Sequence, residues 1–405
     1  MGEKVRVGLV YGGRSGEHEV SLQTALAVMK AFDYDKYEIQ PFYISKSGEW
    51  RSGDTLLAPP SDLAVLRLAD EDAVVGMDAL MPVFGGGADD EEAPRAGAPA
   101  AASVSAVPAE VRIASATSAA NNVAEAAGDG AGLDVVFPLL HGTFGEDGTI
   151  QGLFEMANIP YVGAGVLASA VGMDKITMKK VFAQEGLPQC IFRYFNRTQW
   201  EKEQSFFIME IETALGYPCF VKPANLGSSV GISKARNREE LVAAVEFALR
   251  YDRKVIVEEF VDAREIEVSV LGNDEPRASV VGEITSSSEF YDYKAKYIDG
   301  KSMMHIPANV PAEVSEAVRE MAVRAFQAID GSGLSRVDFF LRKEDGQLFI
   351  NEVNTMPGFT PYSMYPLMWK ESGVPYAQLL DTLIQLAIER HAEKQRIDYG
   401  GGDPA

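Results

Sequence analysis

Two apolar stretches near the C-terminal end carry acids at positions where a lone acid is costly. The first reads Arg336-Val337-Asp338-Phe339-Phe340, the second Ile350-Asn351-Glu352-Val353-Asn354-Thr355-Met356-Pro357-Gly358. Residues two apart on a strand point to one face, so Glu352 and Asn354 present oxygens side by side. Asp338, on a neighbouring strand, completes three hard oxygen donors with no His or Cys among them. Such a set suits Mg2+ held together with phosphates. The alternative is a polar sheet face with solvated acids. Against it, Asp338 is embedded in an otherwise apolar strand, where a lone carboxylate needs a counter-charge.

Two further constellations lie upstream. In Val221-Lys222-Pro223-Ala224-Asn225-Leu226-Gly227-Ser228-Ser229-Val230-Gly231, a strand delivers Lys222 into a loop of small residues. Such a loop lets backbone N–H groups approach a phosphate closely. It lacks the Gly-Lys-Ser/Thr ending of a Walker loop. Lys175, in Met173-Asp174-Lys175, opens a helix and can reach the same phosphates, the alternative being a solvent-facing helix lysine, the usual case. The third constellation is Val257-Glu258-Glu259-Phe260-Val261 followed by Arg264-Glu265-Ile266-Glu267-Val268. A carboxylate there can accept from adenine or from ribose hydroxyls, and Phe260 can flank a base. Salt bridges on an exposed sheet produce the same letters.

The rest of the chain sets the frame. Val5 to Val10 reads as a buried strand, Gly12-Gly13-Arg14-Ser15-Gly16 as a turn, Val20 to Phe32 as a helix and Tyr37 to Ile44 as a second strand. That order opens an α/β domain with a mostly parallel sheet. The turn lacks the full Gly-x-Gly-x-x-Gly spacing, which ranks a dinucleotide oxidoreductase low. Residues about 85–132 are rich in Ala, Ser, Gly and Pro and read as a disordered insertion. After the strand 134–140, helices and strands alternate to about residue 258. From Val255 onward antiparallel-type strands dominate, with helices at about 312–329 and 375–394 covering them. At 405 residues the chain predicts two or three domains. Lys plus Arg number 37 and Asp plus Glu 59, a formal charge of −22. That argues against nucleic acid and anionic membrane surfaces as partners. The N-terminus reads as a strand rather than a signal peptide, and no apolar run approaches 20 residues. Cys190 and Cys219 have no metal-type spacing and fit a reducing cytoplasmic setting.

Taken in this order, the motifs resemble the ATP-grasp superfamily. Three more bring the resemblance to the D-alanine–D-alanine ligase family. They are Gly12-Gly13-Arg14-Ser15-Gly16-Glu17-His18-Glu19-Val20-Ser21, His141-Gly142-Thr143-Phe144-Gly145-Glu146-Asp147-Gly148 and Phe290-Tyr291-Asp292-Tyr293-Lys294-Ala295-Lys296-Tyr297. The resemblance covers nearly the whole chain apart from the insertion and the tail. It implies an α/β and α+β fold of three domains, with an N-terminal α/β domain at 1–163. A central subdomain at 164–257 and a C-terminal domain at 258–395 would enclose ATP, and 396–405 would be a tail. It implies ligation of two D-alanines through an acyl phosphate, for cell-wall precursor synthesis, by a cytoplasmic homodimer.

Residue by residue, the resemblance puts the phosphates of ATP on Lys175 and Lys222, with Ser229 in the phosphate loop. Adenine falls near Glu258, Glu259 and Phe260, and ribose at Glu265. Two Mg2+ ions, replaceable by Mn2+, would sit on Asp338, Glu352 and Asn354. Arg336 and the N–H of Gly358 would stabilise the tetrahedral oxyanion. Glu17 would hold the ammonium of the first D-alanine, with His141 lining its pocket. Ser363, the backbone of Met364 and Lys296 would hold the second carboxylate. Glu17, Ser228 and Tyr297 match a trio that ties the first domain to the phosphate loop and to a lid at 285–305. The family varies at the positions of Glu259 and Met364, and the insertion is longer than its pattern. A D-lactate or D-serine acceptor, or a nucleotide-binding protein that kept only the fold, are the competing readings. Retention of Asp338, Glu352, Arg336 and Ser228 weighs against the latter.

Overall fold

A computed structural model of the chain describes residues 4–68, 74–75, 132–227, 230–285 and 303–398. Most of the insertion, the lid residues Lys296 and Tyr297, the loop residues Ser228 and Ser229, and the end of the tail lie outside them. Three sheets organise the described residues. The first joins β1 (Val5–Gly12), β2 (Tyr37–Ile44), β3 (Trp50–Ser52), β4 (Val74–Val75) and β5 (Val135–Leu139) in the order β4-β3-β2-β1-β5. Its central pairs, β1 with β2 and β1 with β5, are parallel. The near-continuous apolar run of β1 is what a strand covered on both faces requires. Helix α1 (His18–Ala31) follows and buries Val20, Leu22, Ala25, Val28 and Met29. The turn between them is glycine by necessity. Gly12 has φ +93, and a Cβ there would stand 2.2 Å from the Ile44 carbonyl oxygen. Ser21 then ties the turn down. It accepts from the Gly12 N–H at 2.8 Å and donates to the Leu139 carbonyl at 2.5 Å.

The second sheet is antiparallel, in the order β6-β9-β7-β8. Its strands are β6 (Phe192–Asn196), β7 (Cys219–Pro223), β8 (Ser233–Ala235) and β9 (Lys254–Glu259). In β9, Val255 and Val257 join the apolar core with residues of the flanking helices Arg197–Ala214 and Arg238–Ala248. Alternation sends Ile256 and Glu258 to the opposite face. The first of those helices starts on a reciprocal cap. Asn196 accepts from the Gln199 N–H, and the Gln199 side chain accepts from the Asn196 N–H, both at 2.9 Å.

The third sheet is also antiparallel, ordered β12-β11-β10-β13-β14. It contains β10 (Ala263–Gly272), β11 (Arg277–Thr285), β12 (Met303–His305), β13 (Gly333–Arg342) and β14 (Leu348–Asn354). In β13 and β14 the register sets Asp338 opposite Glu352 and Arg336 opposite Asn354, with an irregularity just after Asp338. The apolar face of this sheet is covered by Ala312–Ala328 and by residues of two upstream helices, α2 (Val166–Met173) and α3 (Lys175–Gln184). Helix Tyr376–Lys394 does more than cover the antiparallel strands. Its Leu379, Leu380, Leu383 and Ile384 join a core with Val7, Leu9, Val135 and Phe137 of the first sheet. The last long helix therefore locks the two ends of the chain together.

Phe359 marks that junction. It is fully buried, with its ring centroid 6.0 Å from Phe137, 5.6 Å from Tyr365 and 5.5 Å from Tyr376. Phe359→Ala should cost about 3–5 kcal/mol in chemical denaturation, because a cavity between two sheets has few ways to collapse. A loss under about 1 kcal/mol would show that the junction is not packed as described.

Candidate active site

All three sheets contribute to one cleft of about 450 Å³. The first brings Glu17, His141 and Glu146. The second brings Lys222, Leu226 and Gly227. The third brings Glu265, Glu267, Arg336, Asp338, Glu352 and Asn354, and the following loop brings Gly358, Ser363 and Met364.

On the third sheet, Arg336 supplies the counter-charge that Asp338 needs. Its Nε and Nη2 donate to the two Asp338 oxygens, each at 2.7 Å, and its Nε stands 3.1 Å from Glu267 Oε2. Burial works against the guanidinium, but Asp338 and Glu267 outweigh it and hold its pKa well above the ordinary value. The Asn354 amide donates to Asp338 Oδ2 at 3.0 Å. Among the described residues no three His, Cys, Asp or Glu side chains gather as a metal cluster. The donor set is instead two carboxylates and a carboxamide. All three offer hard oxygens and all border the cleft, so they fit a Mg2+-class cation.

Facing them are the lysines. Lys175 opens helix α3, whose start is capped by Asp174 accepting from the Thr177 N–H at 2.9 Å. Its Nζ donates to the Leu226 carbonyl at 3.0 Å and lies 3.5 Å from Glu352 Oε2. Lys222 pairs with Glu258, whose other oxygen stands 2.8 Å from Lys179 Nζ. Burial alone would raise the Glu258 pKa. The two lysines outweigh it and hold the carboxyl far below its usual range. Lys222 is likewise buried, yet Glu258 and Glu352 keep its pKa above the usual lysine value. Glu258 thus lies beneath the lysines and does not border the cleft. Nor do Glu259, which accepts from the Ile191 N–H at 2.7 Å, and Phe260, which stacks under Lys234 Nζ at 4.3 Å. Glu265 does border it.

The third corner is a pocket of acids and one imidazole. Glu17 sits so close to two glycines that a side chain at either would press on its carboxylate. A Cβ on Gly227 would lie 3.0 Å, and one on Gly142 3.1 Å, from Glu17 Oε1. The first sheet's loop therefore abuts the loop at Gly227 directly. His141 is buried and its pKa is lowered by that burial, against the opposing charge of Glu17. Its neutral form fits both contacts. Nδ1 donates to the Met356 carbonyl at 3.2 Å, and Nε2 accepts from the Thr24 hydroxyl at 3.1 Å. Glu146 accepts from the Gly142 N–H at 2.6 Å and from the Met356 N–H at 3.2 Å. Burial, helped by Glu17, pushes its carboxyl up to about 8. Ser363 accepts from the Thr360 N–H at 3.1 Å, and a Cβ on Gly358 would meet its Oγ at 3.2 Å.

Of the residues expected from sequence, the cleft gathers Glu17, His141, Lys175, Lys222, Glu265, Arg336, Asp338, Glu352, Asn354, Gly358, Ser363 and Met364. Three participants escaped the sequence reading: Lys179, Glu146 and Glu267. Lys179 lies one helical turn beyond Lys175 on the same face, a spacing that points at it. Glu267 lies two residues after Glu265 on one strand, the same periodicity that paired Glu352 with Asn354. Nothing in the sequence around Glu146 shows that its carboxyl is buried.

Comparison with known proteins now fits this geometry. A family model for the D-ala D-ala ligase N-terminus matches residues 6–164, and one for the C-terminus matches residues 181–385. The D-alanine–D-alanine ligase of Bacillus licheniformis is 53% identical over 397 residues, covering 98% of this chain and 99% of that protein. That of Bacillus velezensis is 52% identical over 391 residues, with 96% and 99% covered. Among solved structures, the VanG D-Ala:D-Ser ligase from Enterococcus faecalis superposes with a TM-score of 0.74 at 36% identity, covering 95% of this chain and 100% of that one. The D-alanine–D-alanine ligase from Coxiella burnetii gives 0.71 at 30%, with 98% and 97% covered. Facing sheets that hold lysines against carboxylates, matched along nearly the whole chain, make this chain a member of the D-alanine–D-alanine ligase family with the ATP-grasp fold.

Proposed function

We infer that the chain joins two molecules of D-alanine at the expense of ATP, and we propose the division of labour that follows. The observation that carries it is the meeting, in one cleft, of Lys175 and Lys222 with Asp338, Glu352, Asn354 and Arg336, next to a pocket holding Glu17. A carboxylate oxygen of the first D-alanine attacks the γ-phosphorus, the bond to ADP breaks, and an acyl phosphate forms. The amine of the second D-alanine attacks the acyl carbon. Phosphate leaves with the oxygen it shared, and the amine gives up a proton. The product, D-alanyl-D-alanine, feeds peptidoglycan synthesis.

Lys175 and Lys222 bind the phosphates, with Ser229 and the N–H groups of the glycine loop. Glu265 takes the ribose; the resemblance puts adenine near Glu258, Glu259 and Phe260, none of which borders the cleft, and we place it on the Glu259 and Phe260 side because both Glu258 oxygens face lysines. Asp338, Glu352 and Asn354 hold Mg2+, two ions for which Mn2+ substitutes. When bound, the metal offsets charge on the phosphoryl oxygens. Arg336 and the Gly358 N–H face the oxyanion. Glu17 holds the first ammonium. With His141 neutral and Glu146 raised to about 8, that pocket carries little opposing or surplus charge near neutral pH. Ser363, the Met364 backbone and Lys296 take the second carboxylate. Ser228 and Tyr297 link Glu17 to the phosphate loop and lid. We further propose a cytoplasmic homodimer. The resemblance supports the dimer, and the two buried, unpaired cysteines suit a reducing compartment. No helix among the described residues is long and apolar enough to cross a membrane.

Incubation with ATP, Mg2+ and single D-amino acids tests the reading. Phosphate release and dipeptide should appear with D-alanine, and little with D-lactate or D-serine as acceptor. Preference for either of those would replace D-alanine as the second substrate. Glu352→Gln keeps the side chain's size but removes a charge from the metal site. Its rate should fall on the order of a thousandfold with the fold intact. Wild-type turnover at ordinary Mg2+ would remove Glu352 from the metal.

Glu146 gives a pH signature. Below its ordinary value of 4.5, folded and unfolded chains both keep the proton; between there and about 8 only the folded chain keeps it. Folding therefore loses stability as pH rises across that window. Glu146→Gln cannot ionise, so its melting temperature should gain on wild type as pH goes from about 5 to about 8. Parallel melting profiles would show that Glu146 is not held protonated.

A further inference from the structure

Lys179 and Lys222 are the two buried lysines among the described residues, 1% and 9% exposed. Lys222 borders the cleft; Lys179 does not. Both ammonium groups are spent on one carboxylate. Glu258 Oε1 lies 2.8 Å from Lys179 Nζ, while Oε2 pairs with Lys222. Lys179 also donates to the Asn351 carbonyl at 3.4 Å, and its Nζ stands 5.9 Å over the Phe192 ring. Glu352 also acts on Lys222 and stands 3.5 Å from Lys175, so three lysines share the two carboxylates of Glu258 and Glu352. Burying charge is costly, and a neutral Lys–Glu pair would cost less than this triad. The extra cation calls for a reason.

We propose that Lys179 is a positioning residue that keeps Glu258 neutralised while Lys222 moves to the phosphates of ATP. The proposal rests on the reading above in which Lys222 binds phosphate. An ammonium already paired with a buried carboxylate gains little by moving to a phosphate if the carboxylate is then left bare. Lys179 removes that cost, because Glu258 keeps one full partner and Lys222 is released. The cation in excess in the free protein becomes the matched one when phosphate enters. The helix supports this division. Lys175 and Lys179 sit one turn apart on α3, so the first points at Glu352 beside the cleft and the second at Glu258 behind it.

Four variants test it beside the wild type: Lys179→Met, Glu258→Gln, the two combined, and Lys222→Met. The readouts are KM for ATP, KM for D-alanine and kcat from phosphate release, and the melting temperature with and without ATP. Lys179→Met should raise KM for ATP on the order of tenfold to a hundredfold. It should leave KM for D-alanine within about twofold. Its melting temperature without ATP should hold or rise, since a neutral pair remains. Glu258→Gln leaves Lys179 without its carboxylate and Lys222 with Glu352 alone, so it should melt earlier without ATP and gain more from ATP than wild type does. In the combined variant there is no carboxylate to strand, so most of the ATP affinity should return. Three results would overturn the proposal. If Lys179→Met binds ATP as wild type does while Lys222→Met does not, Lys179 has no such role. If the combined variant stays as weak as Lys179→Met, Lys179 is a structural prop. If Lys222→Met itself leaves KM for ATP unchanged, the phosphate reading fails first and takes the proposal with it.

Discussion

The structure depends on one constraint: charges taken out of water must be matched where they lie. Between the second and third sheets stand Lys222, Lys179 and Glu258 on one side and Arg336, Asp338 and Glu267 on the other. Each group would be prohibitive alone. The sheets afford them because their opposite faces are apolar. Val255 and Val257 back the strand of Glu258, while Val337 and Phe339 back the strand of Arg336 and Asp338. Strand alternation therefore builds a dry core and a charged cleft from the same ten or so residues.

What can enter such a cleft is set by the same accounting. A nucleoside triphosphate brings several negative charges and many acceptors, which suit the lysines and Arg336. Its negative charge also has to be offset, which suits a hard cation on Asp338, Glu352 and Asn354. The pocket around Glu17 is arranged differently. Glu146 and His141 are buried beside the charge of Glu17, and burial favours their neutral forms near pH 7. One carboxylate is left to meet one ammonium. Both neutral groups also hold the loop that carries Gly358, through the N–H and the carbonyl of Met356. The pocket of Glu17 and the loop of Gly358 are thus joined by two hydrogen bonds.

Much of this was legible in the sequence, for definable reasons. Periodicity of two placed Glu352 and Asn354 on one face, and the need for a counter-charge at Asp338 was evident from its apolar neighbours. Arg336 two residues earlier was visible as an oxyanion group by resemblance, yet not as the partner that neutralises Asp338. That pairing depends on side-chain geometry within one strand. The buried state of Glu258 was not legible, because it arises from Lys179 on a helix roughly eighty residues upstream. The helix at 376–394 was expected over the antiparallel strands. Its attachment to the first sheet is a contact between chain ends that local pattern does not encode. Glu146 was quoted within a motif, but its raised pKa follows from tertiary burial alone.

The central claim is that the carboxylate of one D-alanine is phosphorylated before the second attacks. Carboxyl oxygen labelling tests it most directly. D-alanine with both carboxyl oxygens as the heavy isotope is turned over with unlabelled ATP, and the released phosphate is weighed by mass spectrometry. The account predicts one labelled oxygen in each phosphate and one labelled oxygen in each new peptide bond. Phosphate released without label, while dipeptide still forms, would contradict it.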